Sequence, residues 1–174
     1  EVREGEGVTA IEHAAGAFHV VTPRGRYETA AIVNCAGAWA HRIAEMVGDR
    51  VPMQTRCSMM IVTERVPHFI DPVIGAVGRR LSFKQTGDGT VLIGGGQQAR
   101  PDLEHERYEL DMTNLARAAE AAVALFPGVA GLRMVRGWAG LEAQMPDHIP
   151  VIGPSPATPG VFHAFGFSGH GFQL

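Results

Sequence analysis

Residues 30–47 constrain the fold of this chain more than any other stretch. Ala30-Ala31-Ile32-Val33-Asn34-Cys35-Ala36 is apolar on both faces, the pattern of a strand covered on both sides in a parallel or mixed sheet. The run ends at Gly37, and a helix fits Ala38 to Val47, with Trp39, Ile43 and Val47 four apart on one face and Gly48 placed to end it. A strand, a glycine and a helix in immediate succession point to an α/β arrangement. The small residues where strand meets helix either let a ligand or another backbone approach closely or pack the helix tightly on the strand, and both readings stay open.

The rest of the chain is mostly β-prone. Val8-Thr9-Ala10-Ile11-Glu12 and Phe18-His19-Val20-Val21-Thr22 flank a turn at Ala14-Ala15-Gly16, and Pro23-Arg24-Gly25-Arg26 is a second turn. Met59 to Thr63 is a further strand candidate. Leu81 to Gln85 and Val91 to Gly94 flank Thr86-Gly87-Asp88-Gly89-Thr90, a good hairpin signal. Gln97 to Glu106 is polar and reads as loop. A second helix fits Asp111 to Phe126, with Asp111, Leu115, Ala118, Ala122 and Leu125 at helical spacing, Asp111 or Thr113 as cap and Pro127-Gly128 as stop. Arg133 to Leu141 and Val161 to Phe165 are strands, while the prolines from Pro146 to Pro159 prevent regular helix between them.

Composition removes several classes. At 45% hydrophobic and 19% charged residues over 174 positions, the chain can bury a core. Two cysteines exclude a disulfide scaffold and a zinc ribbon, and Cys35 and Cys57 are expected as reduced thiols in a cytoplasmic protein. The longest near-apolar run is too short for a membrane span. A net charge of −3 with scattered basic residues argues against a nucleic-acid surface. No pair among the eight histidines has the helical spacing of a zinc site, so no metal is expected.

Gly5-Glu6-Gly7-Val8-Thr9-Ala10 matches a dinucleotide fingerprint in letters only. That motif follows a strand and opens a helix, whereas here a strand follows. Ser168 lacks the strand–serine–helix setting of a hydrolase elbow. The strongest chemical feature is Gly166-Phe167-Ser168-Gly169-His170-Gly171-Phe172, where three glycines in six residues follow a strand. Such a segment is either a mobile tail or a row of backbone N–H groups that stabilises negative charge, as at the edge of a reduced flavin. His170 is the one histidine singled out here. Trp39 and Trp138 read as packing residues.

Taken in order, these segments resemble the D-amino-acid oxidase-like family of FAD-dependent oxidoreductases, which includes glycine oxidase and sarcosine and opine oxidases. The matching pieces are Val8 to Ile11, Val33 to Ala40, Val51-Pro52, the Gly87-to-Gly96 hairpin, Trp138-Ala139-Gly140-Leu141, Pro146 to Pro154, and Gly166 to Phe172. The resemblance implies an α/β fold: part of a mixed FAD-binding sheet plus a largely antiparallel substrate-domain sheet with helices. Residues 1–50 and 141–174 would belong to the FAD-binding half, and 51–140 to the substrate half. It also implies an interior fragment. The family's N-terminal glycine fingerprint would precede Glu1 and its last helix would follow Leu174, so FAD would be non-covalent and not retained by this chain alone.

The resemblance carries roles residue by residue. Val8 matches the position meeting the adenine, and Cys35, Ala36 and Gly37 match the segment passing the cofactor. Gly166, Phe167, Ser168, Gly169, His170, Gly171 and Phe172 match the loop over the flavin's pyrimidine edge, with the backbone of Gly169, His170 and Gly171 as catalytic electrostatic support. Leu81, Phe83 and Glu142 match substrate-contact positions. Glycine-oxidase-like members place an Arg where Glu142 stands, and a Glu repels a carboxylate, so an N-alkylated or opine-like amine fits better than a simple amino acid. The oxygen-activating Lys and flavin-linking Cys of monomeric sarcosine oxidases have no counterpart around Leu92 or Gly137.

The implied activity is oxidation of a C–N bond of an amine or amino acid by hydride transfer to flavin N5. The implied partners are a small-molecule amine, the absent N-terminal FAD-binding segment and a homo- or hetero-oligomeric assembly. Two alternatives stand beside it: a non-catalytic subunit that keeps the fold, and a nicotinamide enzyme. The latter is disfavoured because strands and helices do not alternate after Gly37.

Overall fold

The computed structural model describes residues 1–172. The fold is α/β, and the chain divides into two compact units, Glu1–Thr55 with Glu142–Leu174, and Arg56–Leu141.

In the first unit, β1 (Ala10–Ala14), β2 (Ala17–Thr22) and β3 (Gly25–Thr29) form an antiparallel three-stranded meander. The predicted turn at Pro23 to Arg26 closes at Arg24, and the chain re-enters the sheet at once as β3. This strand alternates half-buried and exposed positions without an apolar side, so its sequence carries no strong strand signal. β4 (Ile32–Asn34) leads through a short 3-10 turn at Gly37–Trp39 into α1 (Ala40–Met46). The helix ends as expected at Gly48, whose φ of +90° is left-handed and whose N–H bonds the Glu45 carbonyl at 3.1 Å. Late in the chain, β12 (Val151–Pro154) and β13 (Val161–Phe165) complete a second sheet in the order β12-β13-β4. β13 runs antiparallel to β12 and parallel to β4, with Phe162 opposite Val33 and His163 opposite Asn34.

Strand alternation separates the two faces of that sheet. Val161 is fully buried, and it clusters with Phe18 of the meander and Val47 beyond α1. The other face is open. Val33 is 63% exposed, Ile152 66% and Phe162 44%. This corrects the expectation of a strand covered on both sides: within the described residues only one face of β4 has a partner layer.

In the second unit the sheet order is β11-β5-β8-β7-β6. Its strands are β5 (Gln54–Arg65), β6 (Ile74–Gly75), β7 (Ser82–Gln85), β8 (Thr90–Gly94) and β11 (Met134–Gln144), with β5 and β11 running on into the first unit. The hairpin predicted around Thr86 to Thr90 is β7–β8. β9 (Arg100–Asp102), in the stretch predicted as loop, pairs with β10 (Arg107–Glu109) just beyond it. Their residues are largely exposed and bury no apolar row, which is why composition alone reads them as irregular. α2 (Met112–Leu125) follows, capped by the Asp111 carboxylate, which accepts from Asn114 N–H at 2.9 Å.

α2 lays Leu115, Ala118 and Ala122 on one face of the sheet, against Cys57, Met59 and Ile61 of β5, Phe83 of β7, and Val91 and Ile93 of β8. Phe83 stacks on Phe126 with ring centroids 4.5 Å apart. Small residues in the middle of the helix let it approach the sheet closely. Ser58, Met60, Val62, Ser82, Lys84 and Leu92 point to the opposite face. Among the described residues no helix is long and apolar enough to cross a membrane.

Candidate functional site

Because β4 and β13 are adjacent and parallel, the segments that leave their carboxyl ends emerge side by side. From β4 come Cys35, Ala36 and Gly37, and from β13 come Gly166 to Phe172. Crevices outside the carboxyl ends of strands are where open α/β sheets bind ligands. Ala36 and Phe165 pack in one cluster with Ala40 and Met145, so the two segments share an apolar base.

The glycine loop is anchored. Ser168 N–H bonds the Ala143 carbonyl at 3.3 Å, and the Ser168 hydroxyl accepts from Met145 N–H at 3.1 Å and donates to the Gly166 carbonyl at 3.1 Å. Gln144 and Phe167 form an antiparallel bridge. Ser168 and Gly169 have φ of +52° and +86°, successive left-handed residues that turn backbone N–H groups outward. The N–H groups of Gly169 and Gly171 bond no other described residue. That of His170 differs: it donates to the Phe167 carbonyl at 2.9 Å, which closes a turn and removes it from the row of donors the sequence suggested. The His170 side chain is exposed.

A Cβ on Gly166 would stand 2.7 Å from Met145 Cγ, and the backbone there has φ of +77°. Only glycine lets the loop leave β13 at this angle while Met145 fills the base. Glu142 sits at the loop's other side, its Oε2 3.9 Å from where a Gly169 Cβ would be. Its carboxylate therefore lies beside Gly169.

A buried polar chain holds the bend in place. Asn34 is 2% exposed; its amide donates to the Ala40 carbonyl at 2.9 Å, and its carbonyl oxygen accepts from Ala36 N–H at 3.2 Å. The same amide lies 3.2 Å from His163 Nδ1, and His163 Nε2 lies 2.7 Å from Asp49 Oδ2. With the amide donating, Nδ1 accepts and Nε2–H donates to Asp49. Burial alone would raise the Asp49 carboxyl; hydrogen bonds from Ser155, His163 and Ala157 N–H outweigh it and hold the group below its ordinary value. Sequence reasoning passed over His163 in favour of His170. Its signal was strand parity, since His163 shares a face with the buried Val161 and Phe165.

The other predicted residues lie elsewhere. Val8 is half-buried just ahead of β1, on a different sheet from the bend and the loop. Leu81 and Phe83, expected at substrate-contact positions, are 5% and 0% exposed in the core beneath α2. The parity of β7 turns Ser82 and Lys84 to the open face instead. Lys84, the chain's one lysine, pairs directly across from Leu92. Cys35 is exposed and Cys57 buried, and both are free thiols. No group of His, Cys, Asp or Glu among the described residues could hold a metal ion.

A model of the FAD dependent oxidoreductase family matches residues 1–174. This chain belongs to that family. Among curated relatives, it is 27% identical over 169 residues to the hydrogen cyanide synthase subunit HcnC of Pseudomonas aeruginosa, covering 95% of this chain and 36% of that protein. It is 32% identical over 147 residues to glycine oxidase of Pseudomonas putida, covering 82% of this chain and 38% of the relative. Among solved structures, L-proline dehydrogenase from P. horikoshii superposes with a TM-score of 0.85 at 25% identity, covering 96% of this chain and 45% of that one. The chain thus spans less than half the length of these relatives.

Proposed function

We propose that this chain supplies the substrate-binding half and part of the cofactor half of an FAD-dependent enzyme that oxidises the C–N bond of an amine or amino acid. One observation carries the reading. Two adjacent parallel strands deliver the Cys35-Ala36-Gly37 bend and the Gly166-to-Phe172 loop to the same sheet edge, where the Gly169 and Gly171 amides bond no other described residue. These residues fit a flavin. The bend offers small side chains for close approach, and the loop offers two unpaired donors to an electron-rich edge.

Bound FAD would accept the hydride from the carbon next to nitrogen. The chain's own contribution is placement and charge. Gly169 and Gly171 N–H would hold the negative edge, and the Asn34–His163–Asp49 chain would keep the bend in register. On the substrate side the proposal retains Glu142. No side chain here needs to act as a strong base, because a neutral amine gives up hydride without one; orientation and electrostatics suffice.

The open face of β4, β13 and β12 supports completion of the cofactor half by further polypeptide, since apolar side chains of this size gain from being covered. FAD would then be non-covalent and held by the longer protein, not by these residues alone. The test is expression of the longer protein, a flavin spectrum, and anaerobic bleaching with amino acids, N-methyl amino acids and opines. Bleaching by one of these classes supports the reading. A protein that folds but neither holds flavin nor bleaches would make this a non-catalytic subunit that keeps the fold.

A further inference from the structure

Where the chain leaves β13, the backbone is left-handed at three positions, with φ of +77°, +52° and +86° at Gly166, Ser168 and Gly169. Glycine takes such angles freely, whereas the Cβ of serine crowds the neighbouring carbonyl. Ser168 therefore stands where the backbone favours glycine. The other non-glycine residues with positive φ among those described, Ala15, Glu106 and His148, lie in exposed connections, but Ser168 is half-buried. Strain of this kind persists only where surrounding contacts over-determine it.

The serine supplies those contacts itself. Its hydroxyl accepts from Met145 N–H at 3.1 Å and donates to the Gly166 carbonyl at 3.1 Å, and its own N–H donates to the Ala143 carbonyl at 3.3 Å. β11 ends at Gln144 and β13 at Phe165, so one residue clasps the segments that leave both strands. Glycine in its place would relieve the strain but lose both hydroxyl bonds.

The clasp also sets a direction. Gly169 N–H lies in the peptide plane that starts at the Ser168 carbonyl carbon, so the dihedrals of Ser168 aim it. Gly169 is exposed and its N–H bonds no other described residue, which leaves the aimed donor open to a ligand. Once the hydroxyl is gone, the peptide samples several directions, and a hydrogen bond weakens steeply as it bends.

We propose that Ser168 is a positioning residue for the flavin, its hydroxyl clasp aiming the Gly169 N–H at the cofactor's electron-rich edge. The proposal rests on the flavin reading of this loop. It is tested in the longer protein with Ser168→Ala and Ser168→Gly. Both remove the hydroxyl, but only glycine accepts the left-handed angle without strain, so Ser168→Gly is expected to keep the higher thermal midpoint of the two. FAD binding is expected to ignore that difference. Titration of each apoprotein with FAD should show the dissociation constant raised by about tenfold in both variants. The flavin midpoint potential should move to more negative values in both, because the reduced, negatively charged flavin gains more from an aimed donor than the oxidised form does. If Ser168 merely held the loop's fold, FAD affinity would follow the thermal midpoint instead. Affinity that ranks with the thermal midpoint across the two variants, or a Ser168→Gly protein that holds FAD as tightly as the parent at an unchanged potential, would overturn the proposal alone. A folded parent that holds no FAD would overturn the flavin reading, and the proposal with it.

Discussion

At the scale of single residues, the loop after β13 depends on Gly166. Gly166→Ala forces a left-handed L-residue, at about 1–2 kcal/mol, and drives a methyl into Met145. The expected result is a lower thermal midpoint and loss of flavin from the longer protein, read by absorbance of the purified variant. Asp49 gives a pH prediction. Its folded carboxyl titrates below the unfolded value, so its stabilisation is complete above the ordinary carboxylate range and disappears as pH falls through the folded value. Urea unfolding at about pH 7 and about pH 3 should show Asp49→Asn losing less stability on acidification than the parent. The glycine loop was legible in the sequence because its composition is unusual. The Asn34–His163–Asp49 chain was not, because it joins positions more than a hundred residues apart that only the pairing of β4 with β13 brings together.

At the scale of elements, α2 was legible because periodicity, cap and stop agree. Asp111→Ala should cost about 0.5–2 kcal/mol by removing the acceptor for Asn114 N–H, measurable by chemical denaturation. The β7–β8 hairpin was legible from its turn. Leu81 and Phe83 are the apolar members of an alternating strand, and the core claims them; Ser82 and Lys84 take the exposed side. The β9–β10 hairpin was illegible because it buries almost nothing.

At the scale of the whole molecule, the two units carry separate cores, and the first leaves an apolar sheet face open. Phe162→Asp should cost this chain about 1–2 kcal/mol, because the side chain is 44% exposed on the central strand of its sheet and loses the rest of its burial. In the longer protein the same substitution should lower flavin retention if that face is covered there. The family was legible from ordered short segments, none decisive alone. The openness of the face was not, because a run apolar on both sides does not tell whether a second layer packs on it. The central claim is that the Gly169 and Gly171 amides hold the electron-rich edge of a flavin beside the Cys35–Gly37 bend. Amide proton NMR of the longer protein, oxidised and then reduced, tests it most directly. The account predicts that these two N–H signals move downfield and exchange more slowly on reduction, while that of His170, bound to Phe167, stays in place. Unchanged Gly169 and Gly171 signals in a protein whose flavin has bleached would contradict it.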